Sequence, residues 1–165
     1  MKSNDKNNFL SFFSFFGDNM SYFRDKGSKY AELLSRGGIR FGCMEMGDAM
    51  KCEAFDKVLG KISLDFLYDH TRDVVLVSGE VEKAITYVMP RYEDVETIIR
   101  VLNSKINPPT GVKFLFPSLY TKSKSIIAGE LRSDEDFEEL GRAIRRLKDA
   151  KVEVEVRRTR IRTRI

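Results

Sequence analysis

From Ala84 to Phe116 the chain spells out a strand, a helix and a strand, and this unit limits the fold more than any other feature. AITYVM (Ala84–Met89) is a short apolar run stopped at Pro90. Glu93–Ile106 then places Val95, Ile98, Ile99, Leu102 and Ile106 at i, i+3, i+4, i+7 and i+11, the stripe of one helix face. Asn107-Pro108-Pro109 ends the helix, and VKFLF (Val112–Phe116) is a second apolar run stopped at Pro117. Short apolar runs alternating with helical stripes predict an α/β protein.

The rest of the chain extends the pattern. Met1–Asn8 is polar and is expected to be disordered. Phe9–Phe16 predicts a strand buried on both faces. Asp18 is a candidate cap for a helix to Ser35 carrying Met20, Phe23, Tyr30, Leu33 and Leu34, with Gly37-Gly38 as its stop. Ile39–Met46 predicts a strand, and Asp48 a cap for a helix to Leu59 with Cys52, Phe55, Val58 and Leu59 on one side. Leu64–Tyr68 and Asp73–Ser78 predict two further strands. After Val112–Phe116, Ser125–Glu130 is a short strand. Ser133 with Asp136 resembles a capping box opening a helix to Ala150, with Phe137, Leu140, Ile144 and Leu147 inward. Val152, Val154 and Val156 alternate as a final strand. The expected organisation is a disordered segment 1–8, a first α/β half 9–82 and a second half 83–165. The two βαβαββ-like halves would form one compact domain with helices covering a mixed sheet; one continuous doubly wound sheet is the alternative.

Charge is uneven. The net charge of +4 over 165 residues equals the excess in Lys151–Ile165, where six basic groups face two acidic ones. On a strand, Val152, Val154 and Val156 share a face that continues as Arg158, Arg160, Arg162 and Arg164. The apolar side therefore switches near Arg157-Arg158, and a flat strand cannot bury one face across that switch. A row of arginines suits nucleic-acid phosphates, acidic neighbours such as Asp134–Glu139, or the blunting of a sheet edge.

No apolar run approaches the roughly 18 residues of a membrane helix, and FLSFFSFFG lacks the flanks of a signal peptide. Cys43 and Cys52 have no metal-ligand spacing and no disulfide framework, so the cytoplasm is the default. Glu45, Asp48, Glu53, Asp65 and Asp69 lie near strand ends without a recognisable metal spacing, and no glycine-rich phosphate loop is present, so no metal or cofactor is expected.

The order of elements resembles the phospholipase D-like superfamily, and within it the effector domains of archaeal regulators of the TrmB type. The resemblance implies a fold of two related halves and a catalytic H-x-K motif followed, after four residues, by Asp. Here His70-Thr71-Arg72 replaces the lysine with arginine, and Val77 stands where the aspartate belongs. RRTRIRTRI, the corresponding stretch of the second half, has no histidine. The winged helix of complete regulators has no counterpart either. The resemblance therefore implies a non-catalytic relative or a fragment of one.

Ligands of open α/β sheets bind beyond the carboxyl ends of the strands. Arg91 and Tyr92, with Tyr120, Lys122 and Lys124, would wall a site there for a small anionic or sugar-like ligand. The leading expectation is a non-catalytic, self-associating α/β domain that binds such a ligand or a protein partner, with a regulatory role. One alternative is a dimeric phosphodiesterase or nuclease using His70, the single histidine, with Asp69 and Asp73 beside it. Another is nucleic-acid binding through Arg157, Arg158, Arg160, Arg162 and Arg164.

Overall fold

The structure is a computed structural model that describes residues 21–83, 95–116 and 125–164. Its elements are α1 (Gly27–Ser35), β1 (Phe41–Met46), β2 (Ala49–Asp56), β3 (Gly60–Asp69), β4 (Val74–Val81), α2 (Val95–Ile106), β5 (Val112–Leu115), β6 (Ser125–Leu131) and α3 (Asp134–Arg164). The fold is α/β. The strands form one six-stranded sheet in the order β1-β2-β3-β4-β6-β5. Every pair is antiparallel, where a mixed sheet was expected.

The expected helix from Asp48 to Leu59 is strand β2. Met50, Cys52 and Ala54 are buried while Lys51, Glu53 and Phe55 are exposed, a period of two. The decisive signal is Gly47-Asp48. Met46 pairs with Ala49 across this two-residue turn, and Gly47 has φ +65°. A glycine at the first turn position matches the twist of a tight antiparallel hairpin. The helical spacing of Cys52, Phe55, Val58 and Leu59 is a coincidence of a strand and its following turn. In that turn Asp56 Oδ2 accepts from the N–H groups of Val58 (2.8 Å) and Leu59 (3.0 Å).

The C-terminal strand is also corrected. Residues 152–164 continue α3 as helix, with no break after Ala150. The apolar-face switch at Arg157-Arg158 constrains a strand but not a helix, and Lys, Glu and Arg are good helix formers.

The cysteines differ from expectation too. Cys43 and Cys52 are register partners on β1 and β2, and they form a disulfide with 4.1 Å between Cα atoms. The cytoplasmic expectation rested on the absence of such a bond, which persists mainly in oxidising compartments.

Among the described residues, the three helices lie on one side of the sheet. Phe137, Leu140, Ala143, Ile144 and Leu147 of α3 are buried with Phe23, Tyr30 and Leu34 and with the inward residues Met50, Leu64, Phe66, Val77 and Ile127. Tyr30 and Phe66 both face Phe137, with ring centroids 4.2 and 5.1 Å away. Leu102 and Ile106 bring α2 into this core. Arg146 Nη1 donates to the carbonyls of Ile106 (2.8 Å) and Asn107 (3.2 Å), serving the C-terminal end of α2. Helices α1 and α3 meet through glycine: a Cβ on Gly141 would lie 2.8 Å from the Leu34 carbonyl carbon. The Phe9–Phe16 and Ala84–Met89 strands lie outside the described residues.

Candidate functional site

Strand alternation sends half of each strand away from the helices, and the register decides which side chains meet there. One row across the sheet is Met46, Ala49, Leu67 and Leu76, from β1 to β4. The next is Met44, Lys51, Asp65 and Ser78, and the third is Gly42, Glu53, Ser63 and Glu80. The outer face is therefore apolar at the end carrying the Gly47-Asp48 turn and polar toward its middle.

A one-sided antiparallel sheet normally turns polar residues to water. Here Met44 is 71% exposed, Met46 73% and Leu67 51%. These side chains, with Ala49, Leu76, Lys51, Glu53, Asp65 and Ser78, line an open concavity of about 930 Å³. Lys51 Nζ stands 3.6 Å from Glu53, and Lys61 Nζ 3.7 Å from the same carboxylate, so the polar border is charged but internally paired. Unbranched methionine adapts to irregular apolar surfaces, which suits a recognition face.

The end of the sheet beside this row is tightly organised. Tyr22 N–H donates to Asp48 Oδ1 (2.8 Å), and the hydroxyl of Ser21 (3.1 Å) and the N–H of Phe23 (3.3 Å) donate to the Gly47 carbonyl. The Tyr22 ring stacks on Tyr68 at 4.1 Å, and Lys26 Nζ lies 4.5 Å above Tyr22. Glu45 accepts from the N–H of Asp25 (2.9 Å) and from that of Gly27, serving the start of α1.

His70 lies in this cluster. Its Nε2 is 2.5 Å from Asp48 Oδ2, joining the β1–β2 and β3–β4 turns, and its ring meets Tyr68 edge-on at 4.6 Å. Asp69 accepts from the N–H groups of Thr71 and Arg72, and Asp73 from the Tyr68 hydroxyl at 2.5 Å. That last bond, with burial and the Asp73 charge, pushes the Tyr68 phenol up to about 12. Arg72 pairs with Glu130, and Val77 is buried in the core. Among the described residues, no three His, Cys, Asp or Glu side chains are grouped to hold a metal ion.

Arg91, Tyr92, Tyr120, Lys122 and Lys124 lie outside the described residues. Arg157, Arg158, Arg160, Arg162 and Arg164 fall in the last turns of α3 rather than on a strand. Sequence reasoning missed the outer face because its apolar row draws one residue from each of four strands. Only the register joins them, and the hairpin signal at Gly47-Asp48 was the available clue. Among the described residues, no helix is long and apolar enough to cross a membrane. No family model, curated protein or solved structure matches this chain.

Proposed function

We propose that the chain is a non-catalytic interaction domain that receives an apolar segment of a protein on the open face of its sheet. One observation carries this reading: among the described residues, helices cover one side, while the other gathers Met44, Met46, Leu67 and Leu76 around a concavity. Exposed apolar patches of this kind mark interaction sites. The concavity falls in the size range of ligand sites, but its openness suits a chain laid across strands better than an enclosed small molecule. Among the described residues, strand β1, which supplies Met46 to the apolar row, is an edge of the six-stranded sheet and offers backbone groups for strand addition. His70 supports the same reading, since its pairing with Asp48 ties together the turns that frame the face.

The test is titration of the full chain with the apolar dye bis-ANS. Saturable binding is expected, lost in Leu67→Lys and in Met46→Lys while the far-ultraviolet circular dichroism stays unchanged. Equal binding by both variants would sink the proposal.

A further inference from the structure

The rows of the outer face are complementary to themselves. In a symmetric pair of copies, a residue that meets a second residue is met by it in return. A two-fold axis running along the strands, between β2 and β3, exchanges β2 with β3 of the second copy and β1 with its β4. Along the apolar row, Ala49 then meets Leu67 and Met46 meets Leu76. A small side chain thus faces a large one, with adaptable methionine beside them. In the next row Lys51 meets Asp65, and Asp65 meets Lys51.

The charges select both this partner and this axis. Across the three rows Lys51 is the one basic residue, against the acids Glu53, Asp65 and Glu80, so a phosphate-rich partner is disfavoured. With the axis between β2 and β3, Glu53 meets Ser63 and Glu80 meets Gly42, and no acid is set on another acid. Moving the axis onto β2 would set Lys51 on Lys51 and Glu53 on Glu53, and moving it onto β3 would set Asp65 on Asp65. Within its own chain Lys51 leans toward Glu53 at 3.6 Å. Asp65 is exposed and, among the described residues, in no ion pair.

An axis along the strands also keeps the strands of both sheets aligned, as in a β-sandwich with its sheets about 10 Å apart. Four strands at about 4.8 Å spacing and roughly 27 Å of strand length give about 500 Å² per copy. The total of about 1,000 Å² lies at the lower limit of specific interfaces, which makes the assembly weak and reversible.

We infer that the outer face binds the same face of a second copy about a two-fold axis between β2 and β3. The inference rests on the interaction reading above and names its partner.

Sedimentation velocity of the full chain tests it. Wild type should pass from monomer to dimer between micromolar and millimolar concentration. In protein labelled with ¹³C at the methionine methyls, the Met44 and Met46 signals should shift over the same range. Lys51→Asp and Asp65→Lys each set like charges across the axis twice, and each should weaken dimerisation at least about tenfold. Mixed in equal amounts the two variants should associate with each other, because one then presents two acids where the other presents two bases. Far-ultraviolet circular dichroism checks that both are folded. A wild type that stays monomeric at millimolar concentration, with bis-ANS binding lost in Leu67→Lys, overturns the second copy and leaves the interaction reading standing. A dimer that survives both charge reversals, or a mixture that stays monomeric where wild type dimerises, overturns the inferred axis. Dye binding insensitive to Leu67→Lys sinks the interaction reading instead, and association of the mixed variants then decides the second copy alone.

Discussion

Replacing Gly141 by alanine should destabilise the protein, although the same change inside an ordinary helix stabilises. Gly141 lies within α3, where alanine would gain about 1 kcal/mol in helix propensity. The surroundings reverse the sign. A Cβ at Gly141 would point into the backbone of α1, 2.8 Å from the Leu34 carbonyl carbon and 3.0 Å from its Cα, and closer still to the carbonyl oxygen. Ordinary contact begins near 3.4 Å, and backbone atoms cannot turn aside as a side-chain end can. The helices must separate, and Tyr30, Leu34, Phe137 and Leu140 lose packing where they meet. Overpacking of a core costs about 1–3 kcal/mol, and a backbone clash belongs at the upper end. The net loss is then about 2 kcal/mol, a fall in Tm of roughly 4–8 °C for a chain of this size. Thermal melts followed by circular dichroism measure it. Gly42→Thr supplies the control, because a Cβ there meets nothing within 4 Å; it should be neutral or stabilising by up to about 1 kcal/mol, since threonine favours strands. A Gly141→Ala protein as stable as wild type would refute the close-packed crossing of α1 and α3.

Removing the Cys43–Cys52 disulfide by Cys43→Ser with Cys52→Ala should cost about 2.5 kcal/mol in chemical denaturation, the loop entropy expected for a separation of nine residues; an unchanged midpoint in wild type under reductant would contradict the bond. Asp56 is held below the usual carboxylate range: burial raises it, but the Lys148 ammonium at 2.9 Å and the N–H groups of Leu59 and Val58 outweigh that. Asp134 is lowered mainly by Lys29 at 2.7 Å. Both groups therefore add stability that is present above pH of about 4 and lost as pH falls through their folded values, so Asp56→Asn should flatten the acid limb of a stability-against-pH curve and cost about 1–3 kcal/mol at neutral pH. Tyr68, pushed up to about 12, and Tyr30, raised by burial, should resist ionisation in an alkaline absorbance titration; their contribution is present below pH of about 10 and lost as pH rises through the folded values. Tyr68→Phe should remove the delayed step at about 12.

Helix faces were legible wherever the pattern of period 3.6 ran against one buried surface. Phe137, Leu140, Ile144 and Leu147 spell such a face, and all four are buried. Val112–Phe116 and Ser125–Glu130 were equally plain as apolar runs set off by turns, and they are strands to within a residue or two. The pattern misled where two periods fit the same letters. Met50, Cys52 and Ala54 make a strand face, while Cys52, Phe55, Val58 and Leu59 make a helix stripe. Pairing with β1 and β3 decides between them, and pairing is not local. At the C-terminus the strand expectation weighed three alternating valines above the helix propensity of their charged neighbours.

The missed hairpin and the missed site have one cause. A helix from Asp48 to Leu59 would have stood on the sheet as one more covering layer, burying Phe55 and separating Met46 from Leu67. As strand β2 the same residues become the second strand of the sheet, with Phe55 76% exposed. Lys51 and Glu53 then face outward beside Met44, and Ala49 bridges Met46 to Leu67. The turn at Gly47-Asp48 thus creates this face, and Asp48 also holds the chain at Tyr22 to the same turn. A Gly47→Val substitution, forcing a β-branched residue to φ +65°, should therefore act on both at once. It should lower stability by about 1–3 kcal/mol and also move the Met44 and Met46 methyl signals. Loss of stability with those methyl signals unmoved would show that the turn and the arrangement of the face are separate matters.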